Sequence, residues 1–295
     1  MKTNIFIAIM TLSTLVCAQT LAQNVSKITL SNGQTMPQLG FGTWTVIESA
    51  SRCVKDAVEL GYRLFDSAQG YENEENVYQG IKKSGINRSE VFITTKISPD
   101  NMRNGTVRES LDKSIEAFGG DYLDLVLIHW PVQEKIQETW QIMEEYVEKG
   151  KIKSIGLSNF NPHHYEALMK YAKIKPVLNQ IEIHPYFSNQ ENVEYFKKQG
   201  LAVQCWSPLA SGKVIEDETL LKLAEKYDKS VAQIVLRWDI QRGLLTIPRS
   251  ENKEHIAENI EVFNFELSDE DMKIINSLNR NERTSVKNNP DSFPW

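Results

Sequence analysis

The chain has 295 residues, of which 41% are apolar and 24% charged, an ordinary balance for a globular protein. That composition excludes a disordered chain, a collagen-like repeat and a disulfide scaffold. The formal net charge of -6 offers no basic field for phosphates, so no nucleic-acid partner is expected.

The first residues differ from the rest. Lys2 gives the start of the chain a short positive region, and residues 5–16 form an apolar run of signal-peptide length. Such a run is too short to span a bilayer comfortably. Small residues suited to cleavage follow at Val16-Cys17-Ala18 and Thr20-Leu21-Ala22. The reading is a removable signal peptide over 1–22 and a mature chain over 23–295, exported to the periplasm or secreted. A lipid anchor at Cys17, for which Val16 is bulky, and a retained helix are the alternatives. No second apolar run has membrane-helix length, so the mature chain is expected to lack a membrane span; a monomer is expected. Its cysteines, Cys53 on a helical pattern and Cys205 on a strand pattern, read as two buried thiols rather than a bridge.

Lys27-Ile28-Thr29-Leu30, Ser31-Asn32-Gly33 and Gln34-Thr35-Met36 read as a β-hairpin, because Asn-Gly between short alternating runs is a strong turn signal. Short apolar strands then alternate with amphipathic helices. Strands are predicted at 39–42, 62–66, 91–97, 123–129, 154–157, 177–183, 202–206 and 245–248. Between them apolar residues recur at spacings of three and four, as in Val107, Leu111, Ile115 and Phe118, and in Trp140, Met143, Tyr146 and Val147. Gly61, Gly85, Gly119, Gly150, Gly200 and Gly243 fall where helices should end. Two helical patterns, 218–227 and 231–242, fill the interval before the last strand, and one must be an insertion. Eight such alternations predict an α/β protein, a (β/α)₈ TIM barrel with an N-terminal β-hairpin, as a single domain. An open doubly wound sheet is the alternative. Gly40-Phe41-Gly42 comes nearest to its dinucleotide fingerprint and lacks the third glycine.

In such a barrel, chemistry lies on the loops after the strands. Three consecutive strands end in Asp66, Lys96 and His129, and Tyr71 lies in the loop after Asp66. Singly, each has an ordinary explanation: a helix cap, a solvated lysine, a satisfied core histidine. Together they bring a carboxylate, an ammonium, an imidazole and a phenol to one rim. A phenol of pKa about 10 gives up its proton reluctantly at neutral pH. A neighbouring ammonium stabilises its phenolate, and a carboxylate keeps that ammonium charged and placed. The set suits protonation of an oxygen becoming an alkoxide, as in carbonyl reduction. No metal is expected, because His163, His164, His184 and His255 are scattered without ligand spacing to Asp, Glu or Cys.

The chain resembles the aldo-keto reductases, including bacterial diketogluconate-type reductases, over essentially residues 27–280. The resemblance rests on Leu39-Gly40-Phe41-Gly42-Thr43-Trp44, Gly61-Tyr62-Arg63-Leu64-Phe65-Asp66, Gly70-Tyr71-Glu72-Asn73-Glu74 and Ile93-Thr94-Thr95-Lys96. It continues through Leu127-Ile128-His129-Trp130-Pro131, Gly156-Leu157-Ser158-Asn159-Phe160, Asn179-Gln180-Ile181-Glu182-Ile183-His184-Pro185 and Ile247-Pro248-Arg249-Ser250. It implies NADPH as cofactor, with NADH possible, and Tyr71 as general acid assisted by Lys96, Asp66 and His129. By position it implies Ser158, Asn159 and Gln180 at the nicotinamide carboxamide and Trp206 stacked on the ring, where many relatives have Tyr. Ser207, Leu209 and Ser211 would cover the pyrophosphate, Arg249 and Ser250 would hold the adenosine 2′-phosphate, and Glu258 and Asn259 would meet adenine. Two departures stand out. Arg249 replaces the commoner Lys, and His255 replaces an Arg that usually stacks on adenine, so a weaker preference for NADPH is expected.

Trp44, Trp130, His129, Phe160 and the tail 293–295 are candidates for the substrate pocket. Short loops imply small aldehydes, ketones, keto sugars or dicarbonyls as substrates. The alternatives are a cofactor-binding redox-sensing or interaction module with little turnover, and a hydrolase using Asp66 and Glu182. The hydrolase leaves Tyr71, Lys96 and the Ser158-Asn159 pair without a role.

Overall fold

The computed structural model describes residues 25–293; the predicted signal peptide and the end of the tail lie outside the described residues. The hairpin forms as predicted, with β1 (Lys27–Thr29) antiparallel to β2 (Thr35–Pro37) and Gly33 turning at φ 85°. Its Leu30 and Met36 pack on Leu64, Phe92, Leu125 and Leu178. The hairpin therefore plugs the end of the barrel where the strands begin, removing apolar surface from water.

Eight parallel strands follow in sequence order: β3 (Phe41–Gly42), β4 (Leu64–Asp66), β5 (Phe92–Ile97), β6 (Leu123–Ile128), β7 (Ile152–Ser158), β8 (Leu178–Glu182), β9 (Ala202–Trp206) and β10 (Leu245–Thr246). The sheet closes on itself. Leu39 bridges Thr246 in parallel, and the Gly40 and Gly42 N–H groups each donate at 3.0 Å, to Thr246 and Pro248 carbonyls. This is the predicted (β/α)₈ barrel.

Several boundaries differ from expectation for local reasons. β7 begins two residues early. Lys153 there points outward, 3.4 Å from Asp124, so a charged residue that reads as loop sits on a strand's solvent side. β10 ends before Pro248, whose nitrogen has no proton to donate. β4 starts at Leu64, because the buried Tyr62 turns away to donate its hydroxyl to the Ile256 carbonyl at 2.9 Å.

The outer layer contains α1 (Ala50–Glu59), α2 (Glu74–Ser84), α3 (Pro99–Arg103), α4 (Val107–Ala117), α5 (Ile136–Glu148), α6 (Pro162–Leu168) and α7 (Gln190–Lys198). The doubled interval is filled by α8 (Glu218–Tyr227) and α9 (Val231–Gln241), and α10 (Lys253–Ile260) and α11 (Asp269–Ser277) follow β10. The six glycines predicted at helix ends all adopt positive φ, which L-residues avoid. Cys53 and Cys205 are buried and unbridged. Among the described residues no helix is long and apolar enough to cross a membrane.

After α11 the tail returns over the strand ends. The Arg280 and Glu282 N–H groups each donate to the Tyr186 carbonyl at 3.1 Å. Glu182 accepts the Thr284 N–H and hydroxyl, both at 2.6 Å, and pairs with Arg283 at 3.2 Å. Burial pushes the Glu182 carboxyl up, but the hydrogen bonds from His184 and Thr284 outweigh it and hold the group below its usual range. Glu182 thus fastens the tail and lies outside the cleft, which removes the hydrolase pair.

Candidate active site

Neighbouring strands bring the four predicted catalytic residues together. Lys96 on β5 is fully buried, with Nζ 2.5 Å from Asp66 Oδ1, at the end of β4. The same ammonium donates to the Ser67 carbonyl at 2.9 Å and to the Tyr71 hydroxyl at 3.4 Å. His129, just after β6, stands edge-on to Tyr71 with ring centroids 5.7 Å apart.

Residues outside the predicted set fix the Tyr71 loop. Asn73 donates to the Thr43 and Val46 carbonyls at 2.8 and 2.7 Å and accepts the Ser67 hydroxyl at 2.6 Å. Gln69 accepts the Ser98 N–H at 3.0 Å and the Asn101 amide at 2.8 Å. Glu74 accepts hydroxyls from Thr95 and Ser114. Asn73 and Glu74 lie inside the motif that carries Tyr71, so the signal for them was present in the sequence.

The charge states follow from burial and neighbours. Burial would depress the Lys96 ammonium, but Asp66 and Tyr71 outweigh it and hold it above its ordinary value. Burial pushes the Asp66 carboxyl up against the pull of Lys96 and Gln180; with a donor on each oxygen, the geometry is that of a carboxylate. Burial also lifts the Tyr71 phenol above its usual value, and the Lys96 pull only partly offsets this. The expected lowering by Lys96 is therefore one of two opposed forces, and the phenol stays protonated. Burial, then the Lys96 charge, hold His129 well below the usual imidazole value, so its ring is neutral.

A cleft of about 640 Å³ opens over this set. Ser158, Asn159, Gln180, Trp206, Ser207, Leu209, Ser211 and Arg249 are among the residues that line it. Asn159, at φ 61°, donates to the His129 carbonyl at 3.0 Å and to Ser158 Oγ at 3.1 Å, and accepts Trp206 Nε1 at 2.8 Å. Gln180 donates to Asp66 Oδ2 and to Gln204 Oε1, both at 2.7 Å. Its N–H groups are thus engaged and its carbonyl oxygen is left to accept. Ser207, Ala210 and Ser211 adopt left-handed φ of 53°, 50° and 56°, strain that a ligand-clasping turn often stores.

Ser250, His255, Glu258 and Asn259 do not line the cleft; Ser250 precedes α10 and the other three lie along it. Asn252 caps that helix, accepting from the Glu254 and His255 N–H groups at 2.7 and 3.3 Å. Arg249 faces Glu251 at 3.7 Å, a carboxylate outside the predicted set.

Of the predicted pocket residues, Trp44 is 58% exposed, and Phe293 stacks on Trp130 with centroids 3.7 Å apart. Phe160 belongs to the core and not to the cleft. His163 and His164, read as lacking partners, meet Asp291 of the tail at 3.2 and 3.5 Å, the one cluster of possible metal ligands among the described residues. Asn161 donates its N–H to His164 Nδ1 at 3.1 Å. That leaves the ring proton on Nε2, which lies 3.5 Å from Asp291 and makes no hydrogen bond. Asn161 Nδ2 also reaches Asp291 at 2.9 Å, so the cluster works as a tail anchor.

The comparisons agree with this geometry. A profile of the aldo/keto reductase family matches residues 38–280. A glyoxal reductase of Bacillus subtilis is 46% identical over 268 residues, covering 90% of this chain and 96% of its own. The methylglyoxal reductase DkgA of Escherichia coli O157:H7 is 39% identical, covering 92% of this chain and 98% of its own. A crystal structure of a Gox0644 mutant in complex with NADPH superposes with a TM-score of 0.86 at 37% identity, covering 92% of this chain and 99% of that one. The chain belongs to the aldo/keto reductase family, and so to the oxidoreductases.

Proposed function

We propose that the protein reduces small carbonyl compounds to alcohols with NADPH, Tyr71 donating the proton. The observation that carries this reading is Lys96, buried between Asp66 and Tyr71 and touching both. The residues present fit the cofactor. The cleft is lined by amide and hydroxyl groups, by part of a turn with left-handed residues and by an arginine. Ser158, Asn159 and Gln180 would hold the carboxamide, and Trp206 would offer the ring a flat apolar face. Ser207, Leu209 and Ser211 cover the pyrophosphate. Arg249 and Ser250, at the capped start of α10, receive the 2′-phosphate, since a helix N-terminus and a guanidinium both favour an anion. His255, Glu258 and Asn259 would meet adenine.

NADPH, when bound, supplies the hydride. The protein's own residues supply orientation and the proton. Neutral His129 donates a hydrogen bond that orients the carbonyl oxygen towards Tyr71. As charge develops on that oxygen, the Tyr71 hydroxyl protonates it. The Lys96 ammonium stabilises the phenolate left behind, and Asp66 keeps that ammonium in place. Trp44, Trp130 and Phe293 bound a compact substrate space, which fits small substrates. Relatives named glyoxal and methylglyoxal reductase favour vicinal dicarbonyls among them.

Tyr71→Phe removes the proton and leaves the aromatic ring. NADPH oxidation with methylglyoxal should fall by about 10²–10⁴-fold, the usual contribution of a positioned acid. NADPH binding, followed by quenching of tryptophan fluorescence, should persist. Turnover near that of the unaltered protein would overturn the mechanism.

A further inference from the structure

We infer that Glu251 sets the cofactor preference, weakening the hold on a 2′-phosphate so that the enzyme also accepts NADH. The inference rests on the proposed place of the adenosine ribose beside Arg249. Each arginine or lysine that the structure brings to this end of the cleft already faces a carboxylate of the chain. Arg249 Nη1 lies 3.7 Å from Glu251 Oε1. Lys253 lies 2.9 Å from Asp56 and 4.0 Å from Glu59. Arg52 lies 3.7 Å from Asp56 and donates to the Glu251 backbone carbonyl at 3.2 Å.

Glu251 is tethered by one exposed hydrogen bond. Ser49, at the start of α1, donates its hydroxyl to Glu251 Oε2 at 2.5 Å. A doubly charged phosphate on Arg249 must therefore displace this carboxylate or sit against it. Both routes cost binding, because like charges repel and the competing ion pair is lost. A ribose carrying only hydroxyls meets no such repulsion. A carboxylate beside the 2′-position accepts a hydrogen bond from its hydroxyl, the arrangement by which acidic residues select NADH over NADPH in dinucleotide sites generally. Arg249 still attracts the phosphate, so the two residues oppose each other and the preference is shallow. The Arg249–Glu251 pair is about half exposed on both sides, which bounds the effect at the scale of one surface charge pair.

The test compares NADPH and NADH dissociation constants by tryptophan quenching in the full-length protein, for the unaltered chain, Glu251→Gln and Arg249→Ala. Glu251→Gln should tighten NADPH by about fivefold, the upper scale of a surface ion pair, without tightening NADH. The gain should shrink in high salt. Arg249→Ala should weaken NADPH more than NADH. If Arg249→Ala behaves so while Glu251→Gln leaves the ratio of the two constants unchanged, the inference is overturned and the cofactor site stands. If Arg249→Ala spares NADPH as well, the assignment of the 2′-phosphate site fails and the inference with it.

Discussion

At the scale of single residues, the four proposed catalytic residues were legible as a set, because Asp66, Lys96 and His129 are polar residues ending consecutive apolar strands and Tyr71 lies in the loop after the first of them. Other residues were not legible, since their meaning lies in partners far along the chain. Asp291 becomes an anchor only where the fold brings it to Asn161, His163 and His164. Gln204 reads as an ordinary strand residue until its carbonyl is found fixing the Gln180 amide. Asp239 is a third case. It lies wholly buried on α9, accepts the Thr246 hydroxyl at 3.0 Å, and burial pushes its carboxyl up to about 7. The unfolded chain loses that proton near the ordinary aspartate value, about 3.9. Between these values the folded state holds a proton that the unfolded state does not, so stability falls as pH rises from about 4 to about 7 and then levels off. Asp239→Asn keeps an acceptor and removes the ionisation. Its melting temperature should exceed that of the unaltered protein near pH 8 and lose that advantage near pH 4. A shift of equal size at both would show that Asp239 does not ionise differently on folding.

At the scale of elements, periodicity located the strands and helices, and what it missed was set by neighbours. β7 exceeds its apolar run because Lys153 can face Asp124 from the solvent side. β10 is short because Pro248 cannot continue a ladder. Helix α2 shows how closely two elements may need to approach. Gly80 faces α1, and a β-carbon there would lie 2.7 Å from both the Ser51 carbonyl oxygen and Val54 Cβ. Alanine favours a helix over glycine by about 1 kcal/mol. Against this, prising two packed helices apart costs about 1–3 kcal/mol, and the clash is with backbone, which cannot rotate away. Gly80→Ala should therefore lower stability in denaturant unfolding, although it improves helix propensity. A gain in stability would mean that α1 and α2 can separate freely at this crossing.

At the scale of the whole molecule, the barrel holds the proposed catalytic set and the tail returns over its strand ends. The hairpin and strands 39–246 place Asp66, Lys96, Asn159 and Gln180 without help from the last residues of the chain. The tail is added by three separate fastenings: Tyr186 to the Arg280 and Glu282 amides, Glu182 to Thr284 and Arg283, and Asn161 with two histidines to Asp291. The last of these stands two residues before Phe293, whose ring lies on Trp130. Loosening it should therefore disturb the wall of the substrate space and spare the cofactor arm. Asp291→Ala removes the carboxylate that accepts from Asn161 and lies beside the two histidines, while leaving every strand-end residue in place. The KM for a small dicarbonyl should rise by about three- to tenfold, the loss expected when the order of one wall is given up, with the NADPH dissociation constant unchanged. Equal weakening of both would show that the tail braces the whole cleft, and an unchanged KM would show that Phe293 holds its place on Trp130 without the anchor.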